Sequence, residues 1–412
     1  GRNFTIVFVW IGWWALLILV TVPLLGRGWC SICPIPVLGE WVQRGAILGP
    51  QPGRGWGLDR RWPRGLRNIW LQNAGFVMLA LFAVVILTQP LVTSLVLLAL
   101  FVLAFGASLF FERRAFCRYL CPVGGFIGLY SQMAPVALRV KDTAICVSHR
   151  EKTCYTGNAE GYGCPWGVFP AGLVKNINCG LCFECVRACP YDNIAFYLRP
   201  LGADLAQARG RKLDEAYKAF IMLGSALLYS AVMLGPWGWL KSAAFAVGSR
   251  DWFLYALAFS LFVLLVVPGA FLAAVLAGRA LAGLRVSLRK GFTHLAYALV
   301  PLGLAAWIAF SLSFVFANLS YVWPALSDPM GWGWNLIGTA GVLWTPYLSG
   351  LVPYVQVGVM VAGLAWSAGT AHGIVRQLGA NEATSGREAV GALPVVAFNL
   401  AATILLLWLL VG

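Results

Sequence analysis

The chain has 412 residues, of which 60% are hydrophobic and 11% charged, and a formal net charge of +15. A soluble domain carries roughly 25% charged residues, so this composition, with a mean hydropathy of +0.78, excludes an ordinary water-soluble globule. Nucleic acid is not expected as a partner, because the placement of Lys and Arg along the chain accounts for the basic excess.

Hydropathy predicts a mostly α, polytopic membrane protein with about eight transmembrane helices. Each apolar stretch has the roughly 20 residues needed to cross about 30 Å of hydrocarbon. They lie near 4–25, 68–88, 91–111, 216–236, 252–277, 293–317, 352–375 and 390–411. The first is too long and too poor in small-residue cleavage signals to read as a signal peptide. The second and third meet at Gln89-Pro90, a turn too short for anything but a tight helical hairpin. The segment 318–351, with Trp323, Trp332, Trp334 and Trp344, reads as an interfacial loop, either a tryptophan belt or a docking surface.

The connecting segments differ sharply in charge. Segments 26–67, 112–215, 278–292 and 376–389 hold 26 basic residues between them, and the alternate segments hold Lys241 and Arg250 only. By the positive-inside rule the basic segments are cytoplasmic and both termini face outward. The expected location is therefore the inner membrane of a prokaryote, with the lipid bilayer around the helices. All eleven Cys fall between Cys30 and Cys189, in or beside the basic segments. Cytoplasm is reducing, which favours thiolate–metal chemistry over a disulfide framework. Three consecutive domains are predicted: 1–138 with three helices and two Cys-Pro motifs, 139–215 as a small α+β ferredoxin-like 4Fe–4S insertion, and 216–412 as a five-helix membrane domain.

The run Cys179-x2-Cys182-x2-Cys185-x3-Cys189-Pro190 matches the bacterial ferredoxin pattern at every spacing. Two-residue gaps let three thiolates from one tight loop cap three irons of a cube, while the fourth, followed by Pro, turns toward a neighbouring cluster. A zinc site would call for two separated Cys pairs instead. Cys164-Pro165, fifteen residues upstream, carries the same Cys-Pro signature and completes the first cluster with Cys179, Cys182 and Cys185. Cys189 is then available to a second cluster with Cys146 and Cys154. There the ferredoxin spacing fails: seven residues separate Cys146 from Cys154 and one ligand is missing. Either His149 fills the place, as imidazole does in some clusters, or a Cys from elsewhere does, or these three are free thiols of a one-cluster domain.

Two more pairs sit at the ends of predicted spans, Cys30-Ser-Ile-Cys33-Pro34 and Cys117-Arg-Tyr-Leu-Cys121-Pro122. The topology puts both on one face of the membrane. They form a third Cys-ligated centre, redox-active thiol pairs or plain helix-end cysteines. Arg27, Arg113, Arg114 and Arg118 beside them would favour thiolates and offset a cluster's negative charge.

With its helix-end Cys-Pro pairs and its ferredoxin run, the sequence resembles the membrane-bound polyferredoxin family of quinol dehydrogenases, found with periplasmic nitrate reductase and with nitrous-oxide reductase maturation. The likeness covers residues 1 to about 200. It implies an electron-transfer subunit of a membrane oxidoreductase complex, relaying electrons through 4Fe–4S clusters between a cytoplasmic-side or quinone donor or acceptor and an extracytoplasmic redox protein. The first Cys pair departs from the family in enclosing two residues where three are usual, and the tail from about 216 lies outside the matching core.

That tail holds His294 and His372, each next to basic residues at one end of its predicted helix. They are candidates for a quinone contact or a haem, or are hydrogen-bonded residues at helix ends. No Cys-x-x-Cys-His run is present, which argues against covalent haem. Gly53-Arg54-Gly55-Trp56-Gly57 does not fit a dinucleotide fingerprint. The alternative function is a maturation or regulatory membrane ferredoxin serving a copper or other metalloenzyme, since copper-oxidase assembly ferredoxins share similar motifs. A transporter would need acidic residues inside its spans, and these are nearly absent.

Overall fold

The computed structural model describes residues 3–47, 55–283, 285–379 and 387–412; Arg2, Gly53 and Arg54 lie outside the described residues. Among the described residues seven helices are long and apolar enough to cross a membrane: α1 (Phe4–Ile32), α2 (Pro90–Phe110), α3 (Leu213–Met233), α4 (Arg250–Ala282), α5 (Leu288–Ser327), α6 (Val352–Gly379) and α7 (Ala389–Val411). The chain is thus a multi-pass membrane protein.

Hydropathy over 68–88 predicts an eighth span, and there the structure differs. The stretch forms two shorter helices, Trp70–Leu81 and Ala83–Thr88, broken at Phe82, whose φ of −102° and ψ of 8° leave the α-helical basin. Hydropathy counts apolar residues and is blind to such a break. Pro90 opens α2 after an extended Gln89, as expected of a proline at a first helical position.

The chain folds as two compact units rather than as the three consecutive segments predicted. One comprises Gly1–Val20, Val77–Val96 and Arg211–Gly412, and the other Thr21–Phe76 and Leu97–Gly210. The physical reason is visible in the first, the bundle unit. The Trp14 indole N–H donates to Ser311 Oγ at 2.9 Å, Trp10 donates to Thr93 Oγ1 at 3.2 Å, and Phe82 lies 5.0 Å from Trp252. These contacts bind both early segments to the late helices.

Within the bundle unit, polar side chains tie helix to helix. Gln356 Nε2 donates to Ala309 O and to Ser313 Oγ, both at 2.7 Å. Asn399 Nδ2 donates to Ser367 Oγ at 2.6 Å, and Trp307 Nε1 to Met222 O at 3.1 Å. In lipid the apolar effect does not drive helices together, so such bonds and small-residue contacts carry the association. Gly363 on α6 is one such contact: a Cβ there would lie 2.4 Å from that of Ala305 on α5.

The second, the cysteine unit, holds all eleven Cys. Its two strands, β1 (Val136–Val140) and β2 (Ile194–Leu198), pair antiparallel with Val136 opposite Leu198 and Val140 opposite Ile194. This ribbon closes a loop of chain that carries seven Cys. Asp204, fully buried, anchors its base by accepting from Arg199 at 2.7 Å and from the Asn176 amide at 2.7 Å. Asn176 Nδ2 in turn donates to Val136 O at 2.8 Å, which fixes the chain entering Cys179.

Candidate functional site: three groups of thiols

Each thiol is placed by a local device. Cys121 is the N-cap of the helix Pro122–Tyr130: Pro122 occupies the first turn, and the Cys121 sulfur accepts the Gly124 amide at 3.2 Å. Negative charge on that sulfur would sit at the positive end of a helix dipole. Cys33 stands at the end of the short helix Trp29–Ile32, where Pro34 stops the turn. In the 179–185 loop, Leu181 and Phe183 have φ of +52° and +59°. The left-handed basin costs an ordinary residue about 1–2 kcal/mol. Here it curls the chain so that the amides of Leu181 and Glu184 reach the sulfurs of Cys179 and Cys182. The Val168 amide approaches Cys164 Sγ at 3.4 Å, and Asn193 Nδ2 approaches Cys146 Sγ at 3.3 Å.

The thiols form three overlapping sets of electrostatic neighbours, with Cys154 close to both Cys164 and Cys185. Cys30, Cys33, Cys117 and Cys121 are electrostatic neighbours of one another. So are Cys164, Cys179, Cys182 and Cys185. Cys154 neighbours Cys189, Cys146 and Cys164. His149 Nδ1 lies 2.6 Å from Ile145 O and its ring 4.5 Å from that of Tyr191. In the bundle unit His294 Nδ1 lies 3.2 Å from Arg211, whereas His372 is exposed on α6. No hydrogen bond among the described residues joins these two histidines.

Burial dominates the chemistry of the sulfurs. It pushes the thiols of Cys33, Cys121 and Cys182 up to about 12 and that of Cys154 to about 11, and it raises Cys117, Cys179 and Cys185 as well. The Ile35 amide opposes the rise at Cys33, and the Gly124 amide opposes it at Cys121. A bare thiolate is therefore disfavoured at these positions, whereas a coordinating metal deprotonates a thiol outright. Among the described residues no three His, Cys, Asp or Glu side chains close on a point as they would around a single ion. A cubane spreads its ligands over four corners. Soft thiolate sets with amides directed at their sulfurs fit an iron–sulfur cluster in both donor type and surroundings.

A set of arginines joins the groups, and sequence reasoning named the residues without their partners. Arg114 makes a two-point ion pair with Glu40, at 2.6 Å to each carboxylate oxygen, and also donates to Cys30 O. Glu40 shares Arg44 with Glu184, which lies between Cys182 and Cys185. Arg113 donates to Cys164 O, and Arg118 to the carbonyls of Trp166 and Gly167, so the segment before Cys121 clasps the Cys164-Pro165 turn. Trp166 and Ser31 are the functional candidates that spacing could not reveal. Ser31, between Cys30 and Cys33, donates to Gly180 O, between Cys179 and Cys182.

Residues 6–58 and 93–141 match the family described as a 4Fe-4S binding domain. The chain is an iron–sulfur membrane protein. The matched residues bracket Cys30, Cys33, Cys117 and Cys121, so the match falls on the helix-end pairs and not on the ferredoxin run. It supports at least one 4Fe–4S cluster. Over 100 residues the chain is 30% identical to the uncharacterized protein MJ0750 of Methanocaldococcus jannaschii, covering 24% of this chain and 38% of that protein. Over 194 residues it is 26% identical to YccM of Escherichia coli, named for electron transport, covering 40% of this chain and 50% of that one. The chain thus spans half or less of the length of these relatives. No solved structure matches it.

Proposed function

We propose that the chain is an electron-transfer subunit of a membrane oxidoreductase complex. It relays electrons through 4Fe–4S clusters between a cytoplasmic-side or quinone partner and an extracytoplasmic redox protein, with its thiols on the cytoplasmic side and both termini outside. The observation that carries this reading is the gathering of three thiol groups in one compact unit, two of them joined by the Ser31–Gly180 contact. The likeness to YccM, named for electron transport, agrees with it. Cys30, Cys33, Cys117 and Cys121 would hold one cluster, Cys164, Cys179, Cys182 and Cys185 a second, and Cys146, Cys154 and Cys189 part of a third. Each cluster, when bound, supplies a one-electron couple. The chain's own part is to bury the sulfurs, direct amides at them, and set arginine charge beside them. None of these residues forms or breaks a substrate bond, which leaves that chemistry to partners.

Iron and acid-labile sulfide, with low-temperature EPR of the reduced protein, test the reading. Eight or more irons per chain and at least two overlapping cubane signals are expected. Fewer than about four, the content of one cubane, would end it.

A further inference from the structure

Arg27 is 2% exposed. One guanidinium nitrogen donates to Ile177 O, two residues before Cys179, and another to Cys117 O at 2.6 Å. The guanidinium lies 4.1 Å over the ring of Trp166, two residues after Cys164. Its cradle is cut from glycine. A Cβ at Gly128 would lie 3.0 Å from one guanidinium nitrogen, and one at Gly124 would lie 3.1 Å from the other. The Trp166 ring, also 2% exposed, packs edge-on against the loop between Cys179 and Cys182, since a Cβ at Gly180 would lie 2.4 Å from its Nε1. That N–H has no hydrogen-bond partner among the described residues.

The contrast with Arg114 is informative. Arg114 is also buried, at 7% exposed, and has Glu40. No carboxylate among the described residues pairs with Arg27, whose acceptors are carbonyls and the face of an indole. A buried cation without a counter-charge is costly, and it persists where an anion offsets it. The groups nearest to it belong to two different thiol sets, one at Cys117 and the other at Cys164 and Cys179.

We propose that Arg27, stacked on Trp166, is a positioning residue shared by the two sites, offsetting the negative charge of both and fixing the contact across which an electron passes between them. The inference rests on the electron-transfer reading above. The step is a one-electron exchange, with one site oxidised as the other is reduced. No bond forms or breaks, and the guanidinium keeps its protons throughout. Reduction adds negative charge, so Arg27 favours the reduced form at both sites and its loss lowers both potentials.

The test is a redox titration of the purified full chain followed by EPR, with iron and sulfide measured on the same samples. In Arg27→Gln, the ratio of reduced to oxidised form at a fixed potential should fall about tenfold or more at both sites, a midpoint shift of about 59 mV for one electron. Arg27→Lys, which restores the charge, should recover most of it. Gly128→Ala keeps every ligand and presses on the guanidinium, so it should move both midpoints in the same direction by less. It decides the matter if Arg27→Gln fails to retain iron. Unchanged midpoints in iron-loaded variants, or a shift at one site only, overturn the proposal. So does a wild-type chain with about four irons, which would hold one site but not two and would leave the electron-transfer reading standing. A chain with no iron removes both.

Discussion

Both units bury polar groups, but they resolve them differently. In the bundle unit Asp214, Glu215 and Lys218 are buried at the start of α3, yet Tyr297 OH donates to Glu215, and the Lys212 amide donates back to that hydroxyl at 2.9 Å. Gln356, Ser367 and Asn399 likewise find protein partners. The bundle unit meets these donors with protein acceptors, although Gln356 Oε1, Asn399 Oδ1 and Trp252 Nε1 stay buried without a hydrogen-bond partner among the described residues. The cysteine unit buries thiols whose ionisation burial opposes, beside a guanidinium that no carboxylate among the described residues pairs with. The difference lies in charge: the bundle unit sets Tyr297 against its buried Glu215, whereas the cysteine unit leaves the charge of Arg27 to carbonyls and an indole.

The largest effect follows from removing the iron. Chelation should lower the protection of amides over 141–193 toward that of an unfolded segment, because metal-binding energy at such sites is folding energy. Protection in α5 and α6 should stay near its loaded value. Hydrogen exchange in detergent reads both at once, and equal loss in the two units would erase the distinction.

Single ligands come next. Cys182→Ser and Cys121→Ser should each remove about four irons per chain, the content of one cubane, and each should spare the EPR signal that the other abolishes. A single shared loss would merge the two thiol sets into one site. Smaller again is Glu40→Gln. It strands the Arg114 charge, and breaking a buried pair typically costs about 3–5 kcal/mol. Because a bound cluster also offsets that charge, the loss should be smaller in loaded protein than in iron-free protein. Thermal unfolding of the two forms gives the comparison.

Much of this division is legible in the sequence, and the illegible part has a physical cause. Cysteine spacing limits which thiols can share a loop, because two- and three-residue gaps leave it few ways to close. The Cys-Pro steps at Cys33 and Cys121 foretell helix boundaries, because proline cannot continue a hydrogen-bonded turn. The break at Phe82 is hidden because every residue around it is apolar. Also hidden is the membership of residues 1–20 and 77–96 in the late bundle, which depends on Trp14 meeting Ser311 nearly 300 positions away. Arg27 and Arg114 look alike in a sequence, both basic and both close to a cysteine pair. Only the fold separates them, by giving one a carboxylate and the other two carbonyls and an indole.

The smallest predicted effect probes the bundle side of the comparison. Asn399→Ala removes the Asn399–Ser367 bond between α7 and α6, and interhelical hydrogen bonds in membrane proteins average about 0.6 kcal/mol. Ser367 keeps its own acceptor, since its hydroxyl donates to Ala298 O, so the substitution leaves that hydroxyl paired within the helix bundle. Unfolding of the bundle unit should shift by about that amount, with iron content and both midpoint potentials unchanged. A loss of several kcal/mol, or any change in iron, would mean that the two units do not keep separate accounts of their buried polar groups.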